Sequence, residues 1–167
     1  MEGVTMRREV LWLEEAGKVP NNPGLPVIVV SDAFEAGSPE AAELMFSSHG
    51  WPPAWRNGIY TYPHFHTTAH EALAIARGEV TVLLGGEGGA RRHLSAGDAV
   101  VLPAGVSHQK LQGSEDLLVV GAYPPGQSPD EVRPDQSKVD IDAARAAIEK
   151  LPDPPCNPMN GEIYPRR

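Results

Sequence analysis

Gly58-Ile59-Tyr60-Thr61-Tyr62-Pro63-His64-Phe65-His66-Thr67-Thr68-Ala69-His70-Glu71, closed by Gly78, holds most of what this chain says about its architecture. A second stretch completes it: Gly97-Asp98-Ala99-Val100-Val101-Leu102-Pro103-Ala104-Gly105-Val106-Ser107-His108. Between them they supply three imidazoles, His64, His66 and His108, and the carboxylate of Glu71. Such a set binds a first-row divalent metal. Histidines at alternate positions of a strand point to one face, so His64 and His66 are expected to grip a single ion. The other two ligands then arrive from later strands, as closure of a small β-barrel requires.

The first stretch fits G-x5-H-x-H-x4-E-x6-G at every specified position, and the second fits G-x5-P-x-G-x2-H. In order and spacing they resemble the two signature motifs of the cupin superfamily, over roughly residues 55–123. One position departs from the family pattern: Gln112 stands where an Asn often follows the second motif. The flanks His108-Gln109-Lys110-Leu111 and Gly121-Ala122-Tyr123-Pro124-Pro125-Gly126 resemble a YjlB-like subgroup of bacterial cupins. The resemblance implies an all-β fold, the double-stranded β-helix or cupin jelly-roll barrel (RmlC-like). It implies one divalent transition metal, and Fe, Mn, Ni, Zn and Cu all accept this ligand set. It also points to a homodimer, because cupins commonly pair through their outer faces.

Composition agrees with one compact domain. A chain of 167 residues is long enough for one core and short for two. Seventeen Gly and seventeen Pro suit a turn-rich β fold. The net charge of -8 and the lack of a basic run argue against nucleic acid. A single cysteine, Cys156, excludes an internal disulfide and fits a reducing cytosol. The first residues carry no apolar signal region, and no apolar run approaches membrane-span length. A soluble cytoplasmic protein is the expectation.

Residues 1–54 read as N-terminal strands and a short helix, 55–123 as the barrel core, and 124–167 as linker, helix and Pro-rich tail. Strands are expected at 7–13 and 25–31, where Val27-Ile28-Val29-Val30 is apolar on both faces. Ser38 as N-cap, Pro39 at the first position and Glu40 in the first turn predict a helix over 39–48. A loop over 50–55 leads to strands near 56–63, 71–77, 79–85, 90–94, 99–102, 107–112 and 117–123. Gly85-Gly86-Glu87-Gly88-Gly89 is a hairpin turn; it lacks the Lys and Ser/Thr of a phosphate loop. Residues 124–138 read as an exposed connection. A helix over 140–151 carries one apolar stripe, Ile141, Ala144, Ile148 and Leu151, and is expected to dock outside the barrel. The tail after it is expected to run over the surface.

His70 competes with Glu71 for the fourth ligand position. Neighbours on a strand face opposite ways, so only one points inward, and the motif spacing favours Glu71. Strand parity nominates Tyr60 and Tyr62 on the face of His64 and His66, and Lys110 and Gln112 on the face of His108. These four are the candidate catalytic residues. Each is either a pocket group or ordinary barrel filling, and Lys110 either lines the pocket or ends solvated at the rim. Leu73, Ile75, Val82, Leu84, Val100 and Leu102 are expected to form an apolar wall. Trp51 and Trp55 either roof the pocket or pack the N-terminal segment on the barrel, and packing is favoured. Cys156 has no adjacent base and is not a nucleophile candidate.

Two functional readings follow. One is a metal-dependent enzyme, of oxygenase or isomerase type, acting on a small oxygen-bearing molecule; four protein ligands leave room on an octahedral ion for substrate. The other is a non-catalytic small-molecule-binding or sensing protein whose metal is structural or anchors the ligand. A storage protein is disfavoured, because the full ligand set lies in one short domain.

Overall fold

The computed structural model describes residues 7–136 and 138–167. Its strands, in chain order, are β1 (Arg7–Leu11), β2 (Val27–Ser31), β3 (Pro53–Asn57), β4 (Glu71–Arg77), β5 (Glu79–Leu84), β6 (Ala90–Ser95), β7 (Ala99–Leu102), β8 (His108–Gly113) and β9 (Leu118–Ala122). Two helices, α1 (Pro39–Ser48) and α2 (Ile141–Lys150), complete the described elements. The strands form two antiparallel sheets, one of six in the order β1-β2-β7-β4-β9-β3 and one of three in the order β6-β5-β8. This is a jelly roll, mostly sheet with two helices, as the motifs imply.

Side-chain alternation builds two apolar layers from the same strands. Between the sheets lie Val27 and Val29 of β2, Leu73 and Ile75 of β4, Val82 and Leu84 of β5, and Val100 and Leu102 of β7. All six residues expected of the apolar wall are among them. Ile28 and Val30, Ala72 and Ala74, and Val101 and Val120 face the other way. There they meet Ala42, Met45 and Phe46 of α1, together with Trp51, Met159 and Tyr164. α1 and the C-terminal tail of the same chain pack on this outer layer.

Both helices start where their caps dictate. Ser38 Oγ accepts from the Ala41 N–H at 3.0 Å, and Asp140 Oδ1 accepts from the Ala143 N–H at 3.0 Å. Loss of such a cap costs about 1 kcal/mol. Of the predicted α2 stripe, Ala144 is buried and Ile141, Ile148 and Leu151 are half-buried, so α2 docks by that face. The tail does more than cross the surface. Tyr164 donates to the Pro26 carbonyl at 2.6 Å, the Arg167 N–H donates to Gly24 O at 2.9 Å, and Met159 is buried.

One strand moved. Residues 56–63 are not a strand; β3 runs over 53–57, partly within the predicted loop, and pairs with β9 at the sheet edge through an irregularity between Pro53 and Trp55. Pro53 is tolerated because the strand is an edge. Beyond Asn57 the chain leaves the ladder, and Pro63 has no N–H to continue one. Only isolated contacts remain, such as the Lys110 N–H donating to Tyr60 O at 2.9 Å.

Candidate metal centre

Four polar side chains from three places meet between the sheets. His64 sits in an isolated bridge to His108, with reciprocal N–H···O bonds of 3.2 and 2.9 Å. His66 follows two residues on. Glu71 opens β4 opposite Leu102, and His108 opens β8 opposite Leu84. All four are buried. One ligand nitrogen from each of His64, His66 and His108 lies within 4.8 Å of the others. Glu71 Oε1 stands 3.0 Å from His108 Nε2 and 3.4 Å from His66 Nε2.

The backbone sets the imidazole tautomers. Nδ1 of His64 faces Tyr62 O at 3.3 Å, Nδ1 of His108 faces Val106 O at 3.1 Å, and Nδ1 of His66 faces Asp130 O. A carbonyl only accepts, so each Nδ1 carries the proton. Each Nε2 is thereby left as a lone pair aimed into the centre, the arrangement in which histidines ligate metals. His66 Nε2 is buried and has no hydrogen-bond partner, with the Glu71 carboxylate 3.4 Å away. A buried nitrogen left unpaired is costly unless something occupies the site. Three neutral nitrogens and one carboxylate fit a divalent transition ion.

The electrostatics differ from one ligand to the next. Burial, with the neighbouring His108 and His66, pushes the His64 imidazole down to about 3. Burial also pulls on His66, but the Glu71 carboxylate beside it outweighs burial and raises its pKa. Burial alone would raise Glu71, yet the neighbouring His108 and His66 imidazoles hold it well below the usual carboxylate range.

His70 lies on the opposite side of β4 from Glu71. Its Nδ1 accepts from the Ala104 N–H at 2.9 Å, and its Nε2–H donates to Pro152 O at 2.8 Å. Both ring nitrogens are used in joining the second motif to the start of the tail, so His70 has none to offer a metal.

A cavity of about 410 Å³ opens over the centre. His64, His66, Glu71 and His108 line it, with Leu73 and Tyr60 among its walls. Of the four catalytic candidates only Tyr60 reaches the cavity. Parity fails for Tyr62 because 58–63 is not a regular strand: its hydroxyl reaches out to Glu131 at 3.3 Å and its ring lies beneath Arg133. Lys110 and Gln112 lie on β8 on either side of a register irregularity opposite Val82 and Thr81; neither lines the cavity, and Gln112 is exposed. Trp51 packs on the outer layer as expected. Trp55 does not only pack: it lines the cavity, and its indole N–H donates to Tyr123 Oη at 2.9 Å. Gly121 makes room for that ring, since a Cβ there would come within 2.1 Å of it.

The segment read as an exposed connection folds back over the site. The Val132 and Phe65 backbones pair, and Pro129, Asp130 and Glu131 line the cavity. The Asp130 carboxylate accepts from the Thr67 N–H and the Thr67 hydroxyl, each at 2.6 Å, while its carbonyl holds His66. Tyr123, another residue that sequence reasoning missed, has its phenol pushed up by burial and by the Glu71 charge. The signals were faint: an Asp after Pro129, and a Tyr just after the last strand.

The cupin domain family matches residues 55–120 of this chain. The chain belongs to the cupin superfamily. Within it, the chain is 40% identical over 123 residues to the uncharacterized protein YjlB of Bacillus subtilis (strain 168), a match spanning 72% of this chain and 73% of that one. Solved structures that resemble it include a DUF861 family protein of Thermotoga maritima, at 22% identity and a TM-score of 0.34, covering 54% of this chain and 98% of that one. Another is RmlC from Streptococcus suis in complex with dTDP-D-xylose, at 12% identity and a TM-score of 0.37, covering 72% of each chain.

Proposed function

We propose that this cupin is a metal-dependent enzyme acting on a small, oxygen-bearing molecule, of oxygenase or isomerase type. One observation carries the reading: one ring nitrogen from each of His64, His66 and His108 and the Glu71 carboxylate converge at the floor of a cavity open enough to admit a ligand. His64, His66, Glu71 and His108 would hold the ion. When bound, a divalent ion there would supply Lewis acidity toward an oxygen of the substrate. The chain's own residues supply the rest. Val106, Tyr62 and Asp130 carbonyls hold the imidazoles in their ligating tautomer. Leu73 and Trp55 give the cavity apolar walls that limit water. Tyr123, with its phenol kept protonated, is placed to donate a hydrogen bond toward the cavity.

A cytoplasmic homodimer belongs to the same reading. It rests on the free thiol of Cys156 and on the family resemblance. Among the described residues, no helix is long and apolar enough to cross a membrane.

Elemental analysis of protein purified without an affinity tag, paired with substrate screening under air and under nitrogen, tests the proposal. Close to one transition ion per chain is expected, with turnover in at least one atmosphere. A stoichiometric metal with no turnover, and with no water exchanging at the ion, would instead favour the non-catalytic binding protein.

A further inference from the structure

We propose that the cavity takes a substrate carrying an ammonium group at the end away from the metal centre, held by the Glu131 carboxylate against the Trp55 and Tyr60 rings. The proposal rests on the metal-centre reading and names the substrate class for the same site.

Charge is the first argument. Among the described residues no Lys or Arg lines the cavity, whereas Glu71, Asp130 and Glu131 do. The three carboxylates are not equivalent. Glu71 faces His108 and His66 at the floor. Asp130 is committed to Thr67 and Thr68. Glu131 is exposed and receives only long hydrogen bonds from the Tyr62 hydroxyl, at 3.3 and 3.4 Å. The nearby guanidinium of Arg133 is taken up elsewhere, 3.7 Å over the Tyr62 ring and 3.1 Å from Asp135, and does not line the cavity. A carboxylate with no cation at a cavity mouth repels an anionic group and attracts a cationic one.

The walls are the second argument. Trp55 is fixed by its bond to Tyr123 and by its seat on Gly121. Tyr60 is fixed by stacking on Tyr62, with centroids 4.6 Å apart and planes at 15°. Aromatic rings held in place in the same cavity as a carboxylate are suited to ammonium groups, which they attract through the ring quadrupole. The floor is the metal end of the same space: His66 Nε2, buried and without a hydrogen-bond partner, turns into this cavity. The two ends therefore differ in kind. Oxygen is favoured at the histidines, and positive charge is favoured at the mouth.

The test compares choline, its neutral carbon isostere dimethylbutanol, and hydroxybutyrate as an anion. Each is titrated into purified full-length protein by calorimetry and tryptophan fluorescence, with metal content measured on the same sample. Choline should bind about tenfold more tightly than either competitor, the scale of one partly desolvated cation–π and carboxylate contact. Glu131→Gln should remove most of that preference and leave dimethylbutanol binding and metal content unchanged. Equal affinity for choline and dimethylbutanol, a preference that survives Glu131→Gln, or no binding by any of the three would each overturn the proposal. Failure of the metal reading looks different: choline preference intact, with no metal in the protein.

Discussion

The two faces of the six-stranded sheet come from the same strands and behave as opposites. On the outer face Ala72 and Ala74 of β4 lie under α1 and the tail, in a layer made almost wholly of apolar side chains. On the inner face the same strand begins with Glu71 and continues with Leu73, and it meets three histidines and an open cavity. The outer face is closed by the chain itself. The inner face is left accessible at one end and carries an unpaired buried nitrogen. Stability and chemistry are thus separated by the thickness of one strand, and substitutions on the two sides should fail in different ways.

The largest expected effect is on the inner side. His64→Ala with His66→Ala removes two of the four donors and should abolish metal binding, from close to one ion per chain to none, by elemental analysis. The double variant should still fold, because neither side chain belongs to an apolar layer. Full metal occupancy in that variant would place the ion elsewhere.

Phe46→Ala is the outer-face counterpart. Phe46 is fully buried between α1 and the sheet. Its truncation should cost about 3–5 kcal/mol of unfolding free energy, the range for a large core aromatic. Metal per folded chain should not change. Denaturant unfolding and metal analysis of the soluble fraction separate the two quantities, and a metal loss that tracks the stability loss would mean that the faces are coupled.

Asp130→Ala and the pH dependence examine how the inner side is held. Asp130 anchors Thr67 while its carbonyl fixes His66, so its loss should weaken metal binding about tenfold or more, the usual size for a group that orients a ligand. Protons should compete with the metal mainly at His66. Glu71 raises the His66 pKa, so affinity is complete above that raised value and declines about tenfold per pH unit below it. His64, pushed down to about 3, contributes little to that decline at ordinary pH. Glu71→Gln removes the charge that raises His66, so it should lower affinity overall while moving the onset of the decline to lower pH. Titration of metal affinity against pH for both chains checks the sign.

How much of this was readable beforehand follows the same division. His64, His66, Glu71 and His108 stood out because their spacing is a pattern of residue types, and such patterns survive without knowledge of the third dimension. The two-sided burial of Val27 to Val30 was equally plain from a β-branched run. Tyr62 was misplaced because parity assumes a regular strand, and the chain leaves the ladder after Asn57. Asp130 and Glu131 were hidden because a Pro- and Asp-rich segment looks the same whether it is solvated or folded onto a site. Only long-range pairing, Phe65 with Val132, distinguishes the two cases, and local composition carries no trace of it. Trp55 was half-read for a similar reason, since its seat depends on Gly121 of β9, which meets β3 only through the fold.

His70 and Glu71 put the contrast between the faces into two adjacent residues, and here the expected effect on the metal is smallest. Both are buried and both are polar, yet β4 turns them to opposite sides. His70 spends its two nitrogens on Ala104 and Pro152, at 2.9 and 2.8 Å, so it ties the second motif to the tail that seals the outer layer. Its role needs a neutral ring with the proton on Nε2, and burial holds its pKa below the ordinary value. His70→Ala should therefore cost about 1–3 kcal/mol of stability, through the backbone N–H and carbonyl it leaves unpaired. Metal affinity should change by less than about threefold, well below the loss in Glu71→Gln, because no donor to the ion is removed. Melting temperature and metal affinity measured on the two single variants make the comparison direct. If His70→Ala loses more metal affinity than Glu71→Gln, the facing of β4 is reversed and His70 belongs to the centre.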